Sequence, residues 1–196
     1  MDYLLGQSIN QAVSFLESYI HNMEYLTQLV ENNGQIYGVL TAEQFMGEKR
    51  PDEQYMEFYM LNRTFNSLEF SNSLYRFGLY ISDDIAYVNN NYFIFPQSRL
   101  EERNDHARMK EYFASGRDYL VLSEERKDIG SRDMSKMLTL YHQILNSNTE
   151  EIVGICSISI DMDRIVQVME NANITSRGLV YLVNAEGEGI VSSTPY

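Results

Sequence analysis

The 196-residue sequence is short of the residues from which the best-defined chemical sites are built. It has one cysteine, Cys156, and three histidines. A single cysteine excludes a disulfide within the chain. His21, His106 and His142 are scattered, so no Cys/His metal spacing exists. Cys156 sits inside an apolar strand-like run and reads as a small buried hydrophobe. Cysteine poverty fits a bacterial surface protein as well as a cytosolic one. Cations are also scarce: 15 Lys and Arg face 28 Asp and Glu, a net charge of −13. A nucleic-acid binder needs a basic footprint. The densest basic stretch, RLEERNDHARMK (99–110), is interleaved with acids, so no nucleic-acid partner is expected. No apolar run approaches the ~18–20 residues of a membrane span, and no signal-peptide pattern is present.

Catalytic constellations are missing too. GRDYL and ISDD are not nucleophile elbows, and there is no phosphate loop. Asp83–Asp84 reads as a turn cap, and Asp161 with Asp163 as a helix start, where the N-terminal dipole favours carboxylates. No enzyme activity, cofactor or metal is expected of this chain. There is no repeat of fixed period and no low-complexity tract.

What is present is a core. The apolar share is 44%, and 15 Tyr with 9 Phe add bulk. Ile9, Val13, Leu16, Ile20, Met23, Thr27 and Val30 fall at alternating steps of four and three. Leu5, Ala12, Leu26 and Leu29 widen this stripe, which predicts a helix of about 27 residues and ~40 Å. ENNGQ (31–35) stops it. The stripe suits either a heptad seam for a partner helix, a possible homodimer through residues 5–30, or a helix lying on a sheet. GEKRPDEQ (47–54) is a break. Pro51 opens a second helix, roughly 52–72, with Tyr55, Phe58, Tyr59, Leu61 or Asn62, Phe65 and Leu68 on one side.

The pattern then turns to strands at 75–82, 87–95, 118–125, 135–145 and 151–161, with a turn at DDI (83–85). A charged, partly helical crossover spans 97–115, and a helix is predicted at about 162–172. Short connections favour antiparallel neighbours. The fold class is therefore α+β, with one five-stranded antiparallel sheet and long helices on one face. GLVYLVNAEGEGIVSS (178–193) reads as a further hairpin and echoes RFGLYISDDIAYVNN.

Alternation separates two sheet faces. Phe77, Leu79, Ile81, Leu138, Leu140, His142, Ile144, Ile152, Gly154, Cys156, Ile158 and Ile160 face the helices. The opposite set holds Gly78, Tyr80, Ser82, Thr139, Tyr141, Gln143, Val153, Ile155, Ser157, Ser159 and Asp161. Small residues leave space and Tyr, Gln, Ser and Asp direct hydrogen bonds, which suits a ligand-holding concavity. An ordinary solvent-facing sheet surface has the same composition. The crossover is long enough to fold over this face as a flap. Within EYFASGRDYLVL (111–122), Tyr112, Arg117 and Tyr119 are spaced for a helix end running into a strand. Arg117 there suits a bidentate carboxylate clamp walled by Tyr rings, or simply a surface cation among many acids.

With LYISDD (79–84), YFASGRDYL (112–120), VGICSISIDMDRI (153–165) and VYLVNAEGEGIVSS (180–193) in this order behind a long amphipathic helix, the chain resembles the extracytoplasmic Cache sensor domains of bacterial two-component histidine kinases. The resemblance implies a PAS-like sheet of order 2-1-5-4-3 and a non-catalytic domain that binds a small extracellular molecule. The signal would pass through the long helix to a membrane-anchored kinase. Residues 1–74 would hold the two helices and 75–161 the membrane-distal sheet. Residues 162–196 would be a connecting helix and the first hairpin of a truncated membrane-proximal module. In some double Cache domains a Tyr, an Arg five residues on, an aromatic two beyond and a later Asp hold an amino acid. Tyr112, Arg117, Tyr119 and Asp161 match that pattern, with Tyr119 in place of the family's Trp. The ligand set is thus Tyr80, Tyr112, Arg117, Tyr119, Tyr141, Gln143 and Asp161, for an amino acid, another carboxylate or a sugar. The alternatives are a sensor without a small ligand, signalling through dimer or partner-protein contacts, and the ligand-binding domain of a chemoreceptor.

Overall fold

The computed structural model describes residues 2–41, 50–83, 93–103, 106–127, 134–171, 180–183 and 189–193. Helix α1 (Asp2–Glu31) is followed by α2 (Gly34–Thr41), α3 (Pro51–Ser71) and strand β1 (Tyr75–Ile81). Next come β2 (Ile94–Pro96), α4 (Ser98–Glu101), α5 (His106–Ala114) and β3 (Tyr119–Lys127). The chain continues through β4 (Met134–Leu145), β5 (Ile152–Asp161), α6 (Met162–Asn171), β6 (Val180–Val183) and β7 (Gly189–Ser193).

Local chemistry accounts for the helix boundaries. The Asn33-Gly34 pair that stops α1 also starts α2, because Asn33 Oδ1 accepts the N–H groups of Gln35 and Ile36 at 3.1 Å each. Helix α2 is thus an element that the Gly stop signal concealed. Pro51 occupies the first turn of α3, where its missing N–H costs nothing, and the Glu53 carboxylate accepts the Arg50 N–H at 3.3 Å.

Five strands form one sheet of order β2-β1-β5-β4-β3, as expected. One orientation differs from expectation. Strand β2 runs parallel to β1, with Leu79 opposite Ile94 and Tyr80 opposite Phe95. The stretch between Ile81 and Ile94 is about a dozen residues, enough for the crossover that parallel pairing needs and far more than a hairpin uses. Most of the strand expected at 87–95, and Asp84 of the expected turn, lie outside the described residues. The other pairs, β1–β5, β5–β4 and β4–β3, are antiparallel.

Helices α1, α2, α3 and α6 cover one face, and α4 and α5 approach the other. Beneath the first layer lie Met23, Leu26, Val30, Ile36, Leu61, Phe65, Phe77, Leu79, Leu140, Ile158 and Ile160, all buried. Helix α1 therefore lies on the sheet, packed on β4, β5 and α6. Its buried line runs through Ala12, Met23, Leu26 and Val30, while Val13 is exposed. On α3, Phe58, Leu61 and Phe65 are buried and Tyr55 and Tyr59 are exposed. Cys156 is fully buried in this layer, and desolvation, reinforced by the Glu31 carboxylate, pushes its thiol far above the ordinary range. Strands β6 and β7 pair antiparallel as a separate two-stranded ribbon beside α6 and the β3 edge.

Candidate functional site

The outer face of the sheet is built as the alternation predicts except at the start of β5, where the β4–β5 register shifts between Gly154 and Ile152. There Val153 packs on the helix-side core and Ile152, expected under the helices, lines the outer face. Strand register sets Gly78, Ser157, Tyr141 and Leu120 in one row across β1, β5, β4 and β3. The next row toward the end of β5 holds Arg76, Ser159, Thr139 and Leu122. The crossover does fold over this face: Leu100 of α4 and Met109 and Phe113 of α5 are buried against Tyr80, Phe95, Leu120, Leu122, Tyr141 and Ile155.

The middle of the face is filled rather than open. Tyr141 is fully buried, and its ring lies 6.2 Å from Tyr80, which in turn lies 5.3 Å from Phe95. Gly78 is required there, since a Cβ would fall far inside contact distance of Ser157 Oγ and 3.3 Å from the Phe95 ring. Small residues on this face thus make room for neighbouring protein groups, not for a ligand.

A polar network runs beside this packing. The Glu124 carboxylate accepts Tyr141 OH at 2.7 Å and Thr139 Oγ1 at 2.6 Å. Ser159 Oγ lies 2.9 Å from Thr139 Oγ1, and Thr139, already donating to Glu124, accepts there. Arg103, in the stretch between α4 and α5, pairs with Glu124 and donates to Tyr141 OH at 3.0 Å. The guanidinium also stands over the Tyr141 ring, 5.6 Å from its centre. Burial is the main reason that Tyr141 titrates well above an ordinary phenol, with the nearby Tyr80 and Glu124 adding to it. The network satisfies a nearly buried carboxylate and latches the crossover to β3 and β4. Arg103 and Glu124 are functional-looking residues that alternation alone does not single out. The available signal was parity: Glu124 shares a face with Leu120 and Leu122.

An open space remains at one end of the face. A cavity of ≈ 370 Å³ lies between the crossover and the strands, with Leu100, Met109 and Phe113 on one wall and Gln143, Ile152 and Ile155 on the other. Glu101, His106 and Lys110 also border it.

The expected site residues are spread over separate parts of the fold. Gln143 lines the cavity. Tyr80 and Tyr141 belong to the packed middle. Tyr112 is half-buried at the edge of that cluster, and the exposed Arg117 stacks on it, 4.9 Å from guanidinium carbon to ring centre. Tyr119 lies on the opposite, helix-covered face, stacked on His142 at 4.9 Å and accepting Gln28 Nε2 at 3.3 Å. Asp161 is six residues along β5 from Ile155, about 20 Å at ~3.3 Å per residue. Its Oδ1 accepts the Asp163 N–H at 2.8 Å and starts α6. Tyr112, Arg117, Tyr119 and Asp161 therefore do not converge on one ligand position.

No protein-family model and no curated protein matches the chain. In overall shape it is similar to a domain assigned to the sensory box/GGDEF family from Vibrio parahaemolyticus. That likeness has TM-score 0.43 and 13% identity, covering 95% of this chain and 73% of that one. It is also similar to the extracellular domain of vpHK1S-Z8, assigned as a histidine kinase, with TM-score 0.36 and 14% identity, covering 86% of this chain and 62% of that one. Neither likeness is close enough to carry residues from one protein to the other.

Proposed function

We propose that this chain is the extracytoplasmic signal-sensing domain of a membrane-anchored histidine kinase and that it holds a small molecule in the cavity under the crossover. The observation that carries the reading is the placement of that cavity and of α1 on opposite faces of the same two strands. Gln143 and Ile155 border the cavity, while their neighbours His142 and Cys156 face the helix layer. A ligand that favours one spacing of crossover and sheet shifts β4 and β5, and α1 rests on both. The α+β sheet order and the long helix are those that the sequence resemblance implies. In this reading the domain has no catalysis of its own, and β6–β7 opens a second, membrane-proximal module.

A thermal-shift screen of amino acids, sugars, carboxylates and uncharged small molecules tests the proposal. It expects at least one saturable stabilisation, lost when Ala114 at the cavity border is replaced by Trp. No shift with any compound overturns it.

A second reading has its own observation. Phe15, Tyr25 and Leu29 are exposed on one side of α1, away from the buried line. That stripe suits a second copy of the chain, with signalling through dimer contacts. Molar mass in solution separates the readings: a dimer abolished by Phe15→Glu with Tyr25→Glu favours the second.

A further inference from the structure

The chemistry of the cavity names a ligand class different from amino acids, carboxylates and sugars. We infer that it takes a compact, uncharged and largely apolar molecule, such as a single aromatic ring or short branched chain carrying one hydrogen-bonding group. This rests on the small-molecule reading above and narrows it.

Size comes first. At ≈ 370 Å³ the cavity is at the low end of the ~300–1,000 Å³ range of small-molecule sites. The walls come next. Leu100, Met109, Phe113, Ile152 and Ile155 offer carbon surface and no hydrogen bonds. A sugar placed there would leave several hydroxyls unpaired, each costly when buried. A carboxylate would need a buried cation. Lys110 and Glu101 at the border are both exposed and of opposite sign. Arg117 does not line the cavity and stacks on Tyr112 instead. The charges of Glu101 and Lys110 lie at the exposed rim, where water screens them, and the walls formed by Leu100, Met109, Phe113, Ile152 and Ile155 offer a zwitterion no charged partner.

Three polar residues, Gln97, His106 and Gln143, remain to orient an uncharged ligand. The Gln143 amide carries both donor and acceptor atoms. His106 Nδ1 is buried and has no hydrogen-bond partner among the described residues. Buried polar atoms are paired in the great majority of cases, and this nitrogen, on a residue that lines the cavity, is available to a bound molecule. An apolar body with one hydroxyl or amide satisfies both the carbon walls and these groups.

Titration of the full chain by nitrogen–proton NMR tests the inference, with benzyl alcohol and isovaleramide as uncharged probes and L-leucine, isovalerate and glucose as comparisons. The expected result is saturable binding of an uncharged probe, with shifts centred on Gln143, Ile155 and Phe113. Ala114→Trp should abolish it, and Gln143→Leu should weaken it about tenfold, the loss of one hydrogen bond. Shift mapping on the unaltered chain stands by itself if either variant folds poorly. Binding of leucine, isovalerate or glucose at those residues, with none of the uncharged probes, overturns this ligand class and leaves the sensing cavity intact. Probe shifts centred elsewhere overturn the cavity as the site. No binding by any of the five, alongside a wider screen that also fails, overturns both readings.

Discussion

His142 Nε2 on β4 lies 3.1 Å from Glu31 Oε2 in the last turn of α1, across 111 residues of sequence. The other ring nitrogen lies 3.0 Å from the Asp118 carbonyl, and the ring stacks on Tyr119. One imidazole therefore ties the end of the long helix to two adjacent strands. His142→Phe keeps the stack and removes both polar links. It should cost about 1–2 kcal/mol, read as a lower urea midpoint at unchanged m-value. Glu31→Gln, which can still accept a hydrogen bond, should cost less.

The Arg103–Glu124 latch should respond asymmetrically to substitution. Glu124→Leu strands a partly buried guanidinium and leaves Tyr141 and Thr139 without their acceptor, so a loss of about 3 kcal/mol is expected. Arg103→Met should cost less, because Glu124 keeps both hydroxyl donors. The double variant should be more stable than the sum of the single losses implies, and a double-mutant cycle by chemical denaturation measures the difference.

Gly78 and Ser157 test whether the middle of the outer face is truly filled. Gly78→Ala should destabilise by about 1–3 kcal/mol through overpacking. Ser157 Oγ is buried without a hydrogen-bond partner among the described residues, so Ser157→Ala alone should be neutral or stabilising. Combined with Gly78→Ala it should recover part of the loss, because it removes the atom that the new methyl meets. Melting temperatures of the three variants decide this.

Asp83 gives a pH dependence of known sign. The backbone N–H and hydroxyl of Ser98 hold its carboxyl below the ordinary value of 3.8. A depressed carboxylate contributes stability that is present above its unfolded value and lost as pH falls through the folded one. Asp83→Asn should therefore narrow the stability gap between pH 6 and pH 3 relative to the parent chain. Urea melts at the two pH values measure it, and an unchanged gap would contradict the role given to Ser98.

The sheet is legible because β1, β4 and most of β5 alternate in a way that assigns their two faces. The start of β5 does not, since Ile152 and Val153 are both apolar and the register shift beside them exchanges their faces. Strand β3 is not legible in this way: both parities of its first half carry apolar residues, Tyr119 and Val121 on one and Leu120 and Leu122 on the other. The pattern therefore groups Tyr119 with Arg117, whereas the structure stacks it on His142 under α1. The direction of β2 escaped for a different reason, since local pattern reports strand character and not the path between strands. Whether small residues on a face make room for a ligand or for Tyr141 depends on side chains from the crossover, and no local spacing encodes that. The cavity shares only Gln143 with the expected site, for the same cause.

Sensing as proposed requires that the cavity and the end of α1 be coupled through β4. Amide hydrogen exchange of the full chain, with and without saturating benzyl alcohol, reads this coupling. Protection should change at Glu24–Glu31 of α1 as well as at α5, with the α1 response abolished in His142→Phe while binding persists. Altered protection confined to α4 and α5, with α1 unchanged in the parent chain, would contradict it.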